Sequence, residues 1–197
     1  MKILKYLVAT IVVLMVVFLA IGFLIPSVDY GHKITVNKPL EEAWAVAQDE
    51  SKYDQWLEGF QSIVLIEGEK GTVGSRYKVV VNPGDGQPDF VMTETVVSIE
   101  EFDHVSLSFD SEMMDFEQTI SYSSEDGATT IVTDSKVMGK GLTMRSMFAL
   151  MEILGGAFQK QEAKNIDALK MVIEKNTTDY YPIQIEDEVV LEGEVVD

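Results

Sequence analysis

The chain carries few side chains that could perform nucleophilic or metal-assisted chemistry. It has no cysteine and only two histidines, His32 and His104, which excludes thiolate nucleophiles, disulfides and a three-histidine metal site within one chain. A Ser-His-Asp arrangement would need His104, but strand alternation places it on one face with Ser106 and Ser108, away from Val105. We therefore expect an ordinary surface histidine there, no catalytic residue, no resident metal and no cofactor.

Two polar residues interrupt an apolar face near the C-terminus. Apolar residues recur with a helical period over residues 142–175, which predicts one helix of about 30 residues. Glu162 and Asn165 fall inside its apolar stripe, and each would cost on the order of 1 to 3 kcal/mol if buried without a partner. Two explanations are open. Either this half of the helix reaches water or a strand side chain such as Gln118 or Thr133, or both groups line a cavity and orient a ligand.

The elements that must position these residues follow from the patterning upstream. A strand at 32–37 and two short helices, at 39–48 and around 53–57, precede a series of alternating apolar and polar segments separated by Gly, Pro, Asn and Asp. We predict an α+β fold with a curved antiparallel sheet of about seven strands and the long C-terminal helix, in which Gly155-Gly156 marks a candidate kink. The six later strands are predicted at 61–67, 76–81, 90–100, 102–109, 113–122 and 129–138.

Residues 6–25 form an uncharged apolar segment at the N-terminus. As a helix it would reach about 30 Å, the thickness of a bilayer's hydrocarbon core, and it lacks the polar stripe of a core helix. A cleaved secretory signal is the alternative, but its apolar region is usually only about 7 to 15 residues long. Lys2 and Lys5 precede the segment, which predicts a single-pass anchor with a cytoplasmic N-terminus and a periplasmic or extracellular domain.

The remainder of the chain is strongly acidic. The formal net charge is −18, and residues 26–197 hold 13 basic and 33 acidic residues, a net charge of −20. This charge excludes nucleic acid as a partner and opposes adhesion to anionic lipid, so membrane association should depend on the anchor. We divide the chain into the anchor and its flank (1–28), one folded domain (29–177) and an acidic tail (178–197).

The start of the predicted domain resembles that of the START-like SRPBCC superfamily, in particular its polyketide cyclase/dehydrase branch. The resemblance covers residues 32–175 and implies a helix-grip fold, in which the curved sheet wraps around the long helix and encloses an apolar cavity. It also implies packing roles for the two tryptophans and a turn or cap role for Asp49. The residues that carry it are Val36, Pro39, Glu41, Glu42, Ala43, Trp44, Asp49, Tyr53, Trp56, Gly59, Phe60, Gly71, Gly74 and Ser75.

The resemblance implies a bound lipid, polyketide or other hydrophobic molecule, but no particular reaction. Because no acid, base and nucleophile set stands out, we predict non-catalytic binding of a hydrophobic small molecule or lipid by a protein anchored in the bilayer. A polyketide cyclase-like or hydrolase enzyme is one alternative, and an interaction module with a filled core is another. The predicted ligand-binding residues are Tyr77, Met92, Leu107, Phe109, Phe116, Gln118, Ile120, Met147, Met151, Leu154, Phe158, Glu162 and Asn165.

Overall fold

A computed structural model describes residues 2–84 and 86–181. Within them the chain forms seven strands and five α-helices, as the predicted α+β class requires. The helices are α1 (Lys2–Leu24), α2 (Leu40–Gln48), α3 (Tyr53–Trp56), α4 (Leu142–Gly155) and α5 (Ala157–Glu174), with a 3₁₀ turn at Glu50–Lys52. The strands are β1 (Val28–Val36), β2 (Phe60–Glu67), β3 (Arg76–Val81), β4 (Phe90–Glu100), β5 (His104–Asp110), β6 (Met114–Glu125) and β7 (Ala128–Gly139).

The seven strands form one curved antiparallel sheet in the order β1-β7-β6-β5-β4-β3-β2. The predicted meander from β2 to β7 is confirmed, and β1 joins its end by pairing with β7. This pairing starts at Val28, opposite Val137, so the first strand begins earlier than the predicted residue 32. Residues 28–31, which precede the predicted strand, are thus part of the sheet.

Two short helices follow β1, as predicted. Pro39 precedes α2, and Glu41 and Glu42 lie in its first turn, where acidic side chains favour the helix dipole. Asp49 then caps the 3₁₀ turn, because its Oδ1 accepts a hydrogen bond from the backbone N–H of Ser51 at 3.0 Å. Trp44 of α2 is buried, which joins this helical layer to the core of the sheet.

The C-terminal segment forms two helices rather than the predicted single one, and the break lies at the predicted candidate kink, Gly155-Gly156. Gly156 adopts a left-handed conformation with φ of 59° and separates α4 from α5, and its N–H donates to the carbonyl oxygen of Glu152. A left-handed residue at this position is a common helix terminator, and glycine adopts it with little strain. Helix α5 packs on the sheet, where Ile166, Leu169 and Ile173 join the main core.

Helix α1 is long and apolar enough to cross a membrane. It packs against α4 through Gly22, where any side chain would collide with Ser146 Oγ and with the carbonyl oxygen of Leu142. The absence of a side chain at Gly22 therefore permits the two helices to approach closely.

The predicted acidic tail, 178–197, lies outside the described residues from position 182 onward. Its first residues still pack on the domain, since the Tyr180 hydroxyl donates to Asp49 Oδ2 at 2.6 Å. The packed part of the chain thus extends past the predicted boundary at residue 177.

Candidate functional site

An apolar cavity of about 650 Å³ lies between the sheet and the helices α2, α3 and α5. Strand alternation builds its wall: Tyr77 and Val79 of β3 line the cavity, whereas Arg76 and Lys78 are exposed on the opposite face. The volume lies in the range of cavities that bind small molecules in proteins. The space that the sequence predicts between sheet and helix is therefore present.

Ten of the predicted ligand-binding residues line this cavity, contributed by β3, β4, β5, β6 and α5. Strand alternation is the reason that most of them were found, because it distinguishes the inner face of β5 and β6 from the outer one. Their role in binding stays a prediction. The ten are Tyr77, Met92, Leu107, Phe109, Phe116, Gln118, Ile120, Phe158, Glu162 and Asn165.

Met147, Met151 and Leu154 do not line the cavity, and their predicted position is wrong. All three belong to α4 and are exposed, and they border an apolar groove that Phe18 of α1 also lines. The prediction depends on one continuous helix with one apolar stripe. The break at Gly156 ends that stripe, so α4 presents these residues to a different neighbour.

Glu162 of α5 is a carboxylate in the cavity wall and is only 7% exposed. Its Oε1 accepts a hydrogen bond from Gln118 Nε2 at 3.0 Å and another from Ser135 Oγ at 3.5 Å. Burial raises the pKa of Glu162. Each of the two explanations from the sequence is therefore partly right for Glu162: a strand side chain satisfies it, and it also faces the cavity.

Asn165 lies one turn further along α5, at the edge of the cavity. Its Oδ1 accepts hydrogen bonds from the backbone N–H of Glu58 at 3.2 Å and from Gln161 Nε2 at 3.1 Å. Lys164 adds an ion pair with Glu58. These contacts hold the connection between α3 and β2 against α5, so Asn165 supports the wall of the cavity.

Glu94 of β4 is a second carboxylate in the wall. Its side chain has no hydrogen-bond partner in the part of the chain that the structure describes. Burial raises the pKa of Glu94 to about 7, and the nearby Glu50 carboxylate, itself paired with Lys70 Nζ at 2.9 Å, contributes. Near neutral pH this group can donate or accept a hydrogen bond, and it can exchange a proton with a bound molecule.

The sequence could not assign Glu94 to the cavity, because β4 carries apolar residues on both of its faces. Met92 and Val96 point inward with Glu94, but Val91 and Val97 on the outer face are apolar as well and are exposed. Alternation therefore gave no preference between the two faces.

Tyr30, on the first strand after α1, contributes an aromatic group to the wall of the cavity. Its ring stacks on Phe158 with centroids 5.6 Å apart and on Phe116 at 6.3 Å, and Phe116 stacks on Phe109 at 5.1 Å. Burial raises the pKa of Tyr30, so its hydroxyl keeps its proton. Sequence reasoning missed this residue because the predicted first strand begins only at residue 32.

Trp44 and Trp56 are both buried, as packing residues should be. The ring of Trp44 contacts Tyr122 edge-on at a centroid distance of 5.0 Å, and Trp56 contacts Tyr53 edge-on at 5.6 Å. Both tryptophans also form part of the cavity wall. Their packing role thus includes shaping the space in which a ligand would lie.

His104 lies at the start of β5, outside the cavity lining. Ser98 Oγ is 3.1 Å from its Nε2, and Asp103 Oδ2 is 2.6 Å from its Nδ1. One ligand atom from each of Glu100, Asp103 and His104 lies within 4.8 Å of the others, a spacing that a divalent cation could bridge. His104 is half-buried, as a partly exposed surface histidine can be, and it does not line the cavity.

Comparison with known proteins identifies a family whose model matches most of the chain. Residues 28–174 match the model of the family described as polyketide cyclase / dehydrase and lipid transport. The chain belongs to this family. Its members bind hydrophobic ligands in general.

Several solved structures share the fold at low sequence identity. A conserved protein from Geobacillus kaustophilus is 18% identical with a TM-score of 0.60, and the match covers 75% of this chain and 96% of that one. Truncated norcoclaurine synthase from Thalictrum flavum is 12% identical with a TM-score of 0.54, covering 76% of this chain and 95% of that one. The di-domain ARO/CYC BexL from the BE-7585A biosynthetic pathway is 11% identical with a TM-score of 0.56. The match covers 77% of this chain and 51% of that one. No curated protein sequence matches the chain.

Proposed function

We propose that this family member binds a hydrophobic small molecule or lipid in its cavity, without covalent chemistry, while α1 anchors it in a membrane. The observation that carries the proposal is the apolar cavity of about 650 Å³. Glu94 and Glu162 place two carboxyl groups in its mainly apolar wall, which suits a ligand with an apolar body and a polar group. The ten predicted residues that line the cavity are the proposed contacts.

The proposed topology has the N-terminus in the cytoplasm, a single span within α1, and the domain outside. Lys2 and Lys5 precede the apolar run and support this orientation. On this proposal residues 1–28 are the anchor and its flank, and residues 178–197 are an acidic tail. Intact mass spectrometry should find residues 6–25 in the mature protein. A mature N-terminus between residues 22 and 28 would instead identify α1 as a cleaved signal.

Native mass spectrometry of the full-length protein in detergent tests the binding function directly. A carrier should retain a co-purifying lipid or other hydrophobic molecule at one copy per chain, identifiable after denaturation. Delipidated protein, reloaded from a total lipid extract, should select the same molecule again. A protein that stays empty in both experiments would contradict the proposal.

A cyclase-like enzyme is the second candidate, and Glu94 is the observation that favours it. A cavity carboxyl with a pKa of about 7 has the properties of a general acid or base at neutral pH. The enzyme is favoured if the wild type turns over a bound polyketide and Glu94→Gln retains the molecule without turning it over. If the wild type and Glu94→Gln both retain the polyketide and neither turns it over, the carrier is favoured. The size of the cavity argues against the filled-core interaction module.

A further inference from the structure

The exposed face of α4 is unlike the surface of a helix that meets water. Each of its exposed residues is uncharged, and most are large and apolar. The two charged side chains of α4 bond to the protein backbone instead: Arg145 Nε donates to the carbonyl of Gly139, and Glu152 Oε2 accepts from the N–H of Phe158. The exposed residues are Leu142, Thr143, Met147, Met151, Ile153, Leu154 and Gly155.

This face continues the apolar surface of α1. Gly22 packs on Leu142 and Ser146 at the start of α4, whereas Phe18 shares an apolar groove with Leu154 near its end. The two helices therefore run antiparallel, side by side. The part of α1 that precedes Phe18 is exposed along its length.

The packing fixes the depth of α4 relative to the anchor. Phe18 and Gly22 lie seven and three residues before Ile25, the last residue of the apolar run. At about 1.5 Å per residue they lie about 5 to 10 Å inside the end of that run. If a bilayer contains the whole run, the face of α4 beside it must lie at the level of the acyl chains and headgroups.

We infer that α4 docks in the outer leaflet beside α1, with its uncharged face against lipid, and holds the Phe158 end of the cavity at the membrane surface. The inference rests on the proposed anchor. Phe158 lies three residues after α4 ends at Gly155, and Tyr30, on which it stacks, lies six residues after α1 ends at Leu24. A hydrophobic ligand at this end of the cavity would lie next to the leaflet from which it could enter.

Lipid suits this face better than a second copy of the chain does. Outside residues 1–25 the chain carries a net charge of −20, which opposes association of two domains at low ionic strength. The exposed residues of this face are all uncharged, so its contact with lipid should not need anionic headgroups. Vesicles of phosphatidylcholine are therefore the appropriate probe.

The absence of cysteine makes the test direct, because single labels can be placed without background. Full-length Ile153→Cys and Leu154→Cys, each labelled with an environment-sensitive fluorophore, are reconstituted into phosphatidylcholine vesicles. Met171→Cys is the matched control, an exposed apolar position on α5, and Val12→Cys reports the anchor. Quenching by nitroxide on the acyl chains is compared with quenching by iodide in the outside water.

The labels at 153 and 154 should show blue-shifted emission and lose most of their fluorescence to the lipid-borne quencher, like the label at 12. The label at 171 should respond to iodide alone. Labels at 153 and 154 that respond to iodide, with position 12 still in lipid, overturn the docking and leave the anchor intact. If neither quencher reaches the labels at 153 and 154, a protein partner covers the face, and the docking in lipid is overturned. A label at 12 that responds to iodide refutes the anchor and this inference together.

Discussion

Helices α4 and α5 adjoin in sequence and yet present opposite kinds of surface. The exposed residues of α4 are uncharged, whereas α5 exposes Lys160, Gln161, Lys164, Asp167, Met171 and Glu174. The buried apolar residues of α5 belong to the main core, while α4 packs on α1, on the end of β7 and, through Phe148, in a separate small cluster with Val28 and Val137. A water-facing helix and a membrane-facing helix would differ in this way.

A single glycine, Gly156, separates two helices whose apolar residues follow one continuous helical period. Apolar residues continue at helical spacing through Gly155-Gly156, so the pattern alone predicts one stripe with one partner. Gly156 adopts a φ of 59°, which ends α4 and lets α5 start in a new direction. As a result, the apolar residues before the break and those after it have different neighbours.

The largest expected effect comes from a matched pair of leucines. Leu169→Ala removes a side chain of α5 that is 0% exposed and should cost about 2 to 5 kcal/mol of unfolding free energy. Leu154→Ala removes one of α4 that is 81% exposed and should change stability by less than about 0.5 kcal/mol. Thermal melts of full-length protein in detergent, followed by circular dichroism, measure both. Equal losses would mean that α4 covers a core in the way that α5 does.

Glu94, on the cavity wall across from α5, should make stability depend on pH. Its pKa is raised from 4.5 to about 7 in the folded chain, so the folded state keeps a proton that the unfolded state has lost. Stability should therefore fall as pH rises from about 4.5 to about 7 and level off above that. Glu94→Gln should flatten this slope and be on the order of 2 kcal/mol more stable than wild type at pH 8.

Glu117→Gln is the control for that experiment, because Glu117 is exposed on β6 of the same sheet. Its pH profile of stability should follow that of the wild type. A Glu94→Gln profile that also follows the wild type would show that Glu94 ionises as freely as a surface glutamate.

Glu162→Gln should separate stability from binding on α5. The amide can keep a hydrogen bond with Gln118 and avoids a buried charge, so stability should stay level or rise by up to about 1 kcal/mol. Ligand retention in native mass spectrometry should fall. Glu152→Gln on α4 is the control, since it lies outside the cavity lining and should leave retention unchanged. Full retention by Glu162→Gln would remove Glu162 from the binding site.

The smallest expected effect on the domain comes from Gly22→Leu. The added side chain would collide with Ser146 and Leu142 and push α1 away from α4. The melting temperature of the domain should not change, but the rate of disulfide formation between Phe18→Cys and Met151→Cys should fall several-fold. Ala20→Leu, at an exposed position of α1, should leave the rate unchanged. An unaffected rate in Gly22→Leu would refute the close approach of the two helices.

The sheet was predictable from sequence because its signals are local. Glycine, proline, asparagine and aspartate mark the turns, and alternation in β5 and β6 identifies the inner residues, such as Leu107 and Phe116. The Gly155-Gly156 pair predicts a kink, but the position of α4 was not predictable, because hydrophobic periodicity does not distinguish a helix face in the core from an exposed apolar face. Glu94 and Tyr30 were missed for related reasons: one lies on a strand that is apolar on both faces, and the other precedes the predicted start of β1.

A pair of tryptophan substitutions on β4 tests the central claim, that the cavity holds a hydrophobic ligand. Met92 faces the cavity and Val97 faces outward on the same strand. Native mass spectrometry should find Met92→Trp largely without the co-purifying molecule and Val97→Trp with as much of it as wild type, while both melt as folded proteins. Equal retention by the two variants would contradict the claim, because the molecule would then be bound outside the cavity.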